Sequence, residues 1–376
     1  MRIQGTRALF LAIAVLVLAV LLAVLTNGSV PLPAGSVRTP SPSVGPPTTV
    51  APAQAAPLLS GSRGFIALPA AGAAELRRET DSESLMLLRG RGFVGAVSGT
   101  GRRVVYWASG SGSGSADSAP RELRVFDVAA ADQDARLATL PEDEKGAAIV
   151  WSTDRTGILA AVESGAPPGS GGPSFSALRV VDVPTRTIRE IARVADGTRF
   201  LPMGWDRGAG AAAACVHRDD GMAIAWMVVG ENTLSVRVPM DDGIPAETVR
   251  SSGTDVLGIQ NGSVIRVWTL GSYDEHTELG AASGERVTFA RWKPGGDEIV
   301  VLVADRLELW SKTGSDRRVV ARGVPAASDL LVSSDGALAF VTYDGGRSAT
   351  AVDLGSGVTA PLPMSGATLV APVSFR

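Results

Sequence analysis

From about residue 61 onwards, the hydrophobic positions fall into short apolar or alternating runs that Gly, Ser, Asp and Pro separate. Runs of this length, bounded by turn-forming residues, are typical of short β-strands. No long apolar stripe with the 3.6-residue period of a helix competes with them. The pattern therefore predicts an all-β domain over residues 61–376.

A strand–turn–strand unit repeats along this domain. A tight turn recurs at positions 97, 151, 205, 250, 292 and 332, which gives intervals of 54, 54, 45, 42 and 40 residues. An apolar run follows each turn, and in several units a third strand and a more polar fourth strand come next, as at 178–183 and 187–192. Four antiparallel strands at this spacing predict the blades of a β-propeller.

The two ends of the domain complement each other. One more interval after 332 falls near 372, where Val373-Ser374 repeats Val97-Ser98 as the start of a unit. Residues 64–68, 75–80 and 85–88 have the pattern of three strands without an inner partner. Joining both ends closes the ring and leaves no open sheet edge. The sequence predicts a seven-bladed propeller, or a six-bladed one if the N-terminal strands pack elsewhere.

The repeat resembles a known type. The runs Trp151-Ser152-Thr153-Asp154 and Ser334-Asp335-Gly336 are similar to the Trp-Ser-Pro-Asp-Gly turn of TolB-type, or WD-like, propeller repeats, and Val181-Asp182 matches the Val-Asp strand that follows it. The resemblance covers roughly residues 61–376 and implies a propeller fold. No turn of this chain carries the full motif.

The N-terminal part has a different composition. Residues 8–25 contain no polar side chain, and about 27 Å of helix of that length would match the hydrocarbon thickness of a bilayer. We predict a cytoplasmic N-terminus at 1–7, a transmembrane signal anchor at 8–26 and an extended Pro/Ser/Thr-rich linker at 27–60. The propeller would then be extracytoplasmic, attached to the cell membrane by a single span.

A cleaved signal peptide is the alternative for this segment. Its apolar core is usually shorter, and no good Ala-x-Ala site follows the apolar run directly. No cysteine follows that run either, so the sequence offers no site for a bacterial lipid anchor. The uncleaved anchor is therefore the favoured interpretation.

Charge and reactive side chains exclude several classes of function. Residues 61–376 hold 32 basic and 38 acidic groups, a formal charge of −6, whereas a nucleic-acid-binding protein needs a basic face. Cys215 is the single cysteine and is predicted to be a buried strand residue. The two histidines, His217 and His276, lie in different repeats, and no nucleophile elbow or phosphate-binding loop is present. We predict no catalytic residues, no metal site and no cofactor.

Candidate binding residues lie on the connections between blades. These connections emerge on the same side of a propeller as the loops between second and third strands. The predicted acidic face consists of Glu142, Asp143, Glu144, Asp196, Asp241 and Asp242. Such a face would suit a cation or a basic or polyhydroxyl partner, although solvated turns explain the same residues.

Two functional hypotheses follow. The favoured one is a membrane-anchored, non-catalytic scaffold that binds a protein or an envelope component. The alternative is a propeller hydrolase or lactonase that uses metal-bound water in the central channel. That chemistry needs several Asp, Glu, Asn or His side chains converging on one end of the channel.

Overall fold

The computed structural model describes most of the chain from Leu58 to Phe375. It does not describe residues 1–57, 71, 81–83, 89–92, 110–118, 165–174, 196, 209, 219–220, 229–232, 241–254, 261, 270–271, 295–296, 325 and 376. The predicted anchor and most of the predicted linker therefore lie outside the described residues. In the described part, no helix has the length and hydrophobicity to span a membrane.

The described residues form strands and one short 3₁₀ turn, Asp344–Gly346. The first three sheets along the chain are sheet I with β1 (Arg63–Leu68), β2 (Glu75–Arg78) and β3 (Ser84–Leu87), sheet II with β4 (Gly95–Val97), β5 (Arg103–Ser109), β6 (Pro120–Asp127) and β7 (Ala130–Thr139), and sheet III with β8 (Glu144–Trp151), β9 (Gly157–Ser164), β10 (Phe175–Asp182) and β11 (Thr187–Ala195).

The remaining strands form four further sheets and complete the first. They are sheet IV with β12 (Arg199–Asp206), β13 (Ala211–Arg218), β14 (Gly221–Val228) and β15 (Thr233–Met240), sheet V with β16 (Asp255–Gln260), β17 (Val264–Thr269) and β18 (Ser272–Gly280), sheet VI with β19 (Val287–Trp292), β20 (Glu298–Val303), β21 (Arg306–Ser311) and β22 (Arg317–Arg322), sheet VII with β23 (Asp329–Val332), β24 (Leu338–Tyr343), β25 (Ser348–Asp353) and β26 (Thr359–Pro361), and β27 (Thr368–Ser374), which joins sheet I.

The chain closes through its two terminal strands. In sheet I the strand order is β27-β1-β2-β3, and β1 pairs antiparallel with β27 from Arg63 opposite Ser374 to Leu68 opposite Thr368. The predicted joining of the two ends is confirmed by this pairing. Both terminal segments are thereby held in one sheet, and β1 is paired on both sides, by β27 and by β2.

Every described sheet is an antiparallel meander, and this gives the propeller two different faces. The turns from first to second strand and from third to fourth strand lie at one end of each sheet, here called the turn face. The loops from second to third strand and the connections between sheets lie at the other end, here called the loop face. Sheet V has three strands in the described part, β16, β17 and β18, and residues 241–254 before β16 are not described.

The hydrophobic core lies between neighbouring sheets. One buried cluster joins sheets II and III and contains Trp107 and Trp151, and the next joins sheets III and IV and contains Trp205. Trp292 and Trp310 lie in the cluster between sheets V and VI. These tryptophans therefore pack between neighbouring blades. Leu58 and Leu59 also pack on the cluster between sheets VII and I, so the packed domain begins before residue 61.

Gly157 shows how closely the sheets approach. It starts β9, and a Cβ added to it would lie 2.3 Å from an atom of the Trp205 ring in sheet IV. We expect Gly157→Ala to lower the free energy of unfolding by about 1–3 kcal/mol, because the ring is buried and has little room to shift. Chemical denaturation measures this change.

Gly280→Ala is the matched control, since a Cβ at Gly280 has no neighbouring atom within 4 Å. It should change stability by much less. Equal effects of the two substitutions would contradict the close contact between sheets III and IV.

Candidate functional site

Three of the six residues of the predicted acidic face lie in the described part of the chain, and two of them are exposed. Glu142 and Asp143 form the exposed turn before β8 on the loop face, and neither carboxylate has an ion pair among the described residues. Asp196, Asp241 and Asp242 lie outside the described residues. Glu142 and Asp143 are therefore accessible to a partner on the loop face.

Glu144 has a different role from the predicted one. Its side chain is 6% exposed, and the Arg179 guanidinium donates hydrogen bonds of 2.6 and 2.7 Å to its two oxygens. Paired, hydrogen-bonded charges are the form in which ionised groups are tolerated inside proteins. Glu144 therefore joins β8 to β10 and is not part of an exposed binding face.

The carboxylate in the connection before β19 is also neutralised, by an ion pair. Glu285 accepts a 2.8 Å hydrogen bond from Arg306, which binds Glu308 at 2.9 Å as well. The hydrogen bond from Arg306 is the main cause that lowers the pKa of Glu285. Part of the negative charge expected on the loop face is thus used within the fold.

A cavity of about 350 Å³ occupies the centre of the propeller. Its walls come from the first strands of six sheets, β4, β8, β12, β19, β23 and β27, together with residues of the turn face. The wall residues include Gly95–Gly99, Ile149–Thr153, Arg155, Met203, Trp292, Pro294, Leu331, Val332, Ser334 and Val370–Pro372. The cavity therefore reaches the turn face, and neither Glu142 nor Asp143 lines it.

The wall of this cavity is mainly apolar. Its described residues contribute aliphatic groups, the Trp151 and Trp292 rings, a few hydroxyls and one cation, Arg155, but no carboxylate and no imidazole. Across the described residues, no three His, Cys, Asp or Glu side chains are grouped as metal ligands. The side chains of this part of the channel therefore do not supply the metal ligands that the hydrolase hypothesis requires for its metal-bound water.

The serine-rich turns of the turn face share one geometry. In sheet III the Ser152 hydroxyl donates to Asp154 at 2.6 Å and accepts from the Gly157 amide at 2.8 Å. Ser333 and Asp335 repeat the same contacts in sheet VII. Burial opposes ionisation of Asp154, but hydrogen bonds from Ser152 and Thr156 outweigh it and lower the pKa of this carboxyl. The predicted motif around 151–162 is therefore structural.

The remaining reactive side chains lie apart. Cys215 is fully buried in β13, as predicted, and this burial raises the pKa of its thiol to about 11. His276 is in β18 of sheet V, within 3.3 Å of Glu278, whereas His217 belongs to β13 of sheet IV. The two histidines therefore occupy different sheets, as their repeats predict.

Sequence reasoning missed a buried carboxylate on the turn face. Glu79 follows β2 and has no exposed surface, and one of its oxygens accepts a 3.2 Å hydrogen bond from the Ser60 amide. The other oxygen, Oε1, is buried without a hydrogen-bond partner among the described residues. Burial raises the pKa of Glu79 to about 7, against the opposing effects of the Ser60 hydrogen bond and the Arg63 charge. The Arg77-Arg78-Glu79 run gave no sign of this burial, because charged triplets usually lie in solvent.

Comparison with known proteins adds to this picture. No family model matches the sequence, and no curated protein matches it. A chain in a crystal structure of the mitotic checkpoint complex is 13% identical, with a TM-score of 0.50 over 92% of this chain and 98% of that one. The fold is a WD-like β-propeller. At this identity, the likeness concerns the fold alone.

Two further solved structures are similar over part of the chain. Hsv2 of Kluyveromyces lactis is 12% identical, with a TM-score of 0.47 over 70% of this chain and 75% of its own. An oligogalacturonate lyase in complex with manganese is 16% identical, with a TM-score of 0.41 over 77% of this chain and 69% of its own.

Proposed function

We propose that this chain is a seven-bladed, TolB-type propeller that a single N-terminal span anchors in the cell membrane, and that it binds a protein or envelope component outside the cytoplasm without catalysis. The count of one blade for each of the seven sheets is supported by the closing pair β1 and β27. The anchor at 8–26, the linker at 27–60 and the location are supported by the sequence.

The observation that carries a binding function is the contrast between the two ends of the propeller. The described channel wall lacks the side chains that general acid–base or metal chemistry needs. On the loop face, Glu142 and Asp143 are exposed and have no ion pair among the described residues. Exposed, unneutralised carboxylates attract a basic or polyhydroxyl partner, and they contribute mainly to its orientation and rate of association.

The three lysines of the chain make the proposal testable. Lys145 begins the loop-face end of β8 next to Glu142 and Asp143, whereas Lys293 and Lys312 lie on turn-face connections. A membrane-impermeant amine crosslinker should react with the propeller on intact cells if the domain is extracytoplasmic. The partner should be captured through Lys145, and Lys145→Arg should remove that crosslink.

The double substitution Glu142→Gln/Asp143→Asn is expected to reduce partner capture about fivefold, because two exposed charge contacts are lost. Quantitative mass spectrometry of the crosslinked partner measures this loss. Asp316→Asn, which removes an exposed carboxylate from the turn face, is the matched control and should leave capture unchanged.

Capture through Lys293 or Lys312 alone, or equal loss with Asp316→Asn, would place the partner elsewhere and refute the loop-face site. The acidic face predicted from the sequence also contains Asp241 and Asp242, so on this proposal their change to Asn should weaken capture further. Bound metal in the purified protein, together with turnover of a lactone or ester, would instead favour the hydrolase.

A further inference from the structure

One turn of the turn face has an arginine at a position where its counterparts have a glycine. In the described turns between first and second strands of sheets II and VII, a glycine occupies the left-handed position. These glycines are Gly101 and Gly336, with φ of 73° and 67°. In sheet III the same position is taken by Arg155, with φ of 61°.

The equivalence of the three positions rests on one shared hydrogen bond to the turn serine. The amide of each left-handed residue donates to the carbonyl three residues before it, as Arg155 does to Ser152 at 3.0 Å and Gly336 does to Ser333 at 2.8 Å. A residue with a Cβ is strained in this conformation, whereas glycine is not. Sheet III therefore keeps an arginine at a position where glycine would be more stable, and such strain is concentrated at functional sites.

Three other cations of the turn face have ion-pair partners. Arg102 pairs with Asp127 at 2.8 Å, Arg207 with Asp182 at 2.6 Å and Lys293 with Glu298 at 2.5 Å. Arg155 is half-buried and makes no ion pair or side-chain hydrogen bond with any residue of the described part. Its positive charge is therefore not compensated by a described residue.

The nearest turn carboxylates do not neutralise this charge. Asp154 accepts hydrogen bonds from Ser152 and Thr156, and its closest cation is Arg207 at 3.9 Å. Asp335, in the corresponding turn of sheet VII, pairs with Arg63 at 2.7 Å. Both groups are therefore committed to other partners.

Arg155 borders the central cavity, whose other described walls carry no charge. Trp151 and Trp292 supply flat apolar surface, and Ser334 and Thr153 supply hydroxyls near the turn face. The volume of about 350 Å³ falls in the range of small-molecule pockets, which are mostly apolar with a few polar groups that fix the ligand. A lone cation beside an apolar wall selects an anion that has an apolar body.

We propose that this cavity binds a small carboxylate with an apolar body, its carboxylate held by Arg155 and its body packed against Trp151 and Trp292. This site lies on the turn face and is independent of the partner site proposed on the loop face. An arginine suits a carboxylate because its planar fork can donate two parallel hydrogen bonds.

The test uses hexanoate as the probe, with hexanol and acetate as comparison ligands. The full-length chain in lipid nanodiscs is titrated by calorimetry, and empty nanodiscs provide the blank. We expect saturable binding of hexanoate and at least about tenfold weaker binding of hexanol, which lacks the charge, and of acetate, which lacks the body.

Arg155→Gly gives the decisive variant, because it removes the cation and relieves the backbone strain together. We expect a melting temperature at or above that of the unsubstituted chain and at least about tenfold weaker hexanoate binding. Loss of binding then cannot be attributed to unfolding. Arg186→Gly is the matched control, since Arg186 is an exposed arginine with φ of 58° in a turn away from the cavity, and it should leave hexanoate affinity unchanged.

Three results would overturn the proposal. They are the absence of saturable hexanoate binding, equal affinity for hexanoate and hexanol, and retention of hexanoate affinity in Arg155→Gly. None of these results bears on the loop-face partner, because capture through Lys145 is measured separately.

Discussion

Substitution of Arg124 by alanine is expected to lower the free energy of unfolding by about 3–5 kcal/mol, because it removes the cation that forms 2.8 Å ion pairs with two buried carboxylates. Arg124 lies in β6 and donates hydrogen bonds of 2.8 Å to both Glu122 and Asp134. Tyr106 donates a further 2.9 Å bond to Asp134. The Arg124, Glu122 and Asp134 side chains are only 8%, 5% and 8% exposed.

Denaturant-induced unfolding of the two proteins measures the change. Arg102→Ala is the matched control, since its pair with Asp127 joins side chains that are 53% and 27% exposed. Solvent-exposed pairs contribute little, so this control should lose less than about 1 kcal/mol. A loss below about 1 kcal/mol for Arg124→Ala would show that water reaches the network in solution.

The second large effect concerns Glu79 and depends on pH. In the folded chain, the pKa of Glu79 is raised from 4.5 to about 7 by burial. The unfolded chain loses its proton first as pH rises, so the folded state becomes less stable between about pH 4.5 and pH 7 and stays so above it. The difference in pKa corresponds to about 3 kcal/mol of destabilisation at pH 8.

We therefore expect Glu79→Gln to stabilise the protein by up to about 3 kcal/mol at pH 8 and to have little effect near pH 4.5. A neutral amide keeps the acceptor for the Ser60 amide and removes the buried charge. The measurement is the difference between the unfolding free energies of the two proteins at each pH, because carboxyls common to both then cancel.

Glu285→Gln is the matched control, and its effect on stability should have the opposite sign to that of Glu79→Gln. Arg306 lowers the pKa of Glu285, so that carboxylate stabilises the fold above its unfolded pKa and loses the contribution as pH falls. The difference in unfolding free energy between Glu285→Gln and the unsubstituted protein should therefore change with pH in the opposite direction to that of Glu79→Gln. A flat curve for Glu79→Gln would mean that Glu79 is hydrated in the folded protein.

The sequence predicted the repeated strands and the pairing of the two ends, because both follow from local pattern. Apolar alternation and turn residues recur at nearly regular intervals, and the extra unit near 372 has its complement at 64–88. Trp151, Trp205 and Trp292 each lie at or next to the end of a first strand, just before its turn, and all three are buried between neighbouring sheets.

Side-chain pairing was not predictable from this pattern. Glu144 has the sequence surroundings of a solvent-exposed acidic turn, yet Arg179, 35 positions later, buries and neutralises it. Only the registers of β8, β9 and β10 bring these two residues together. The charges of Glu122 and Arg124 on either side of Leu123, in a strand that continues with Val125 and Phe126, were the available signal for a buried network, since a charge among buried residues needs a partner.

The exception at Arg155 could have been found by aligning the turns within the chain. Gly101 and Gly336 stand three residues after their turn serines, where Arg155 follows Ser152. What the sequence could not supply is the cavity beside it, because its wall combines residues from the first strands of six sheets. Comparison of the turns within the sequence identifies Arg155 as unusual, whereas only the folded propeller shows that it borders a cavity.

The pairing of β1 with β27 also sets an order of events during folding. Arg63 faces Ser374, so the strands that complete sheet I are separated by roughly 300 residues, among the least local contacts that a chain can make. Sheets II to VII can each form from consecutive strands, whereas β1 has to wait for the last strand of the domain. Until then two sheet edges stay open and able to pair with another chain. Closure is therefore the slow step of folding, and the interval before it is when the protein most needs protection from aggregation.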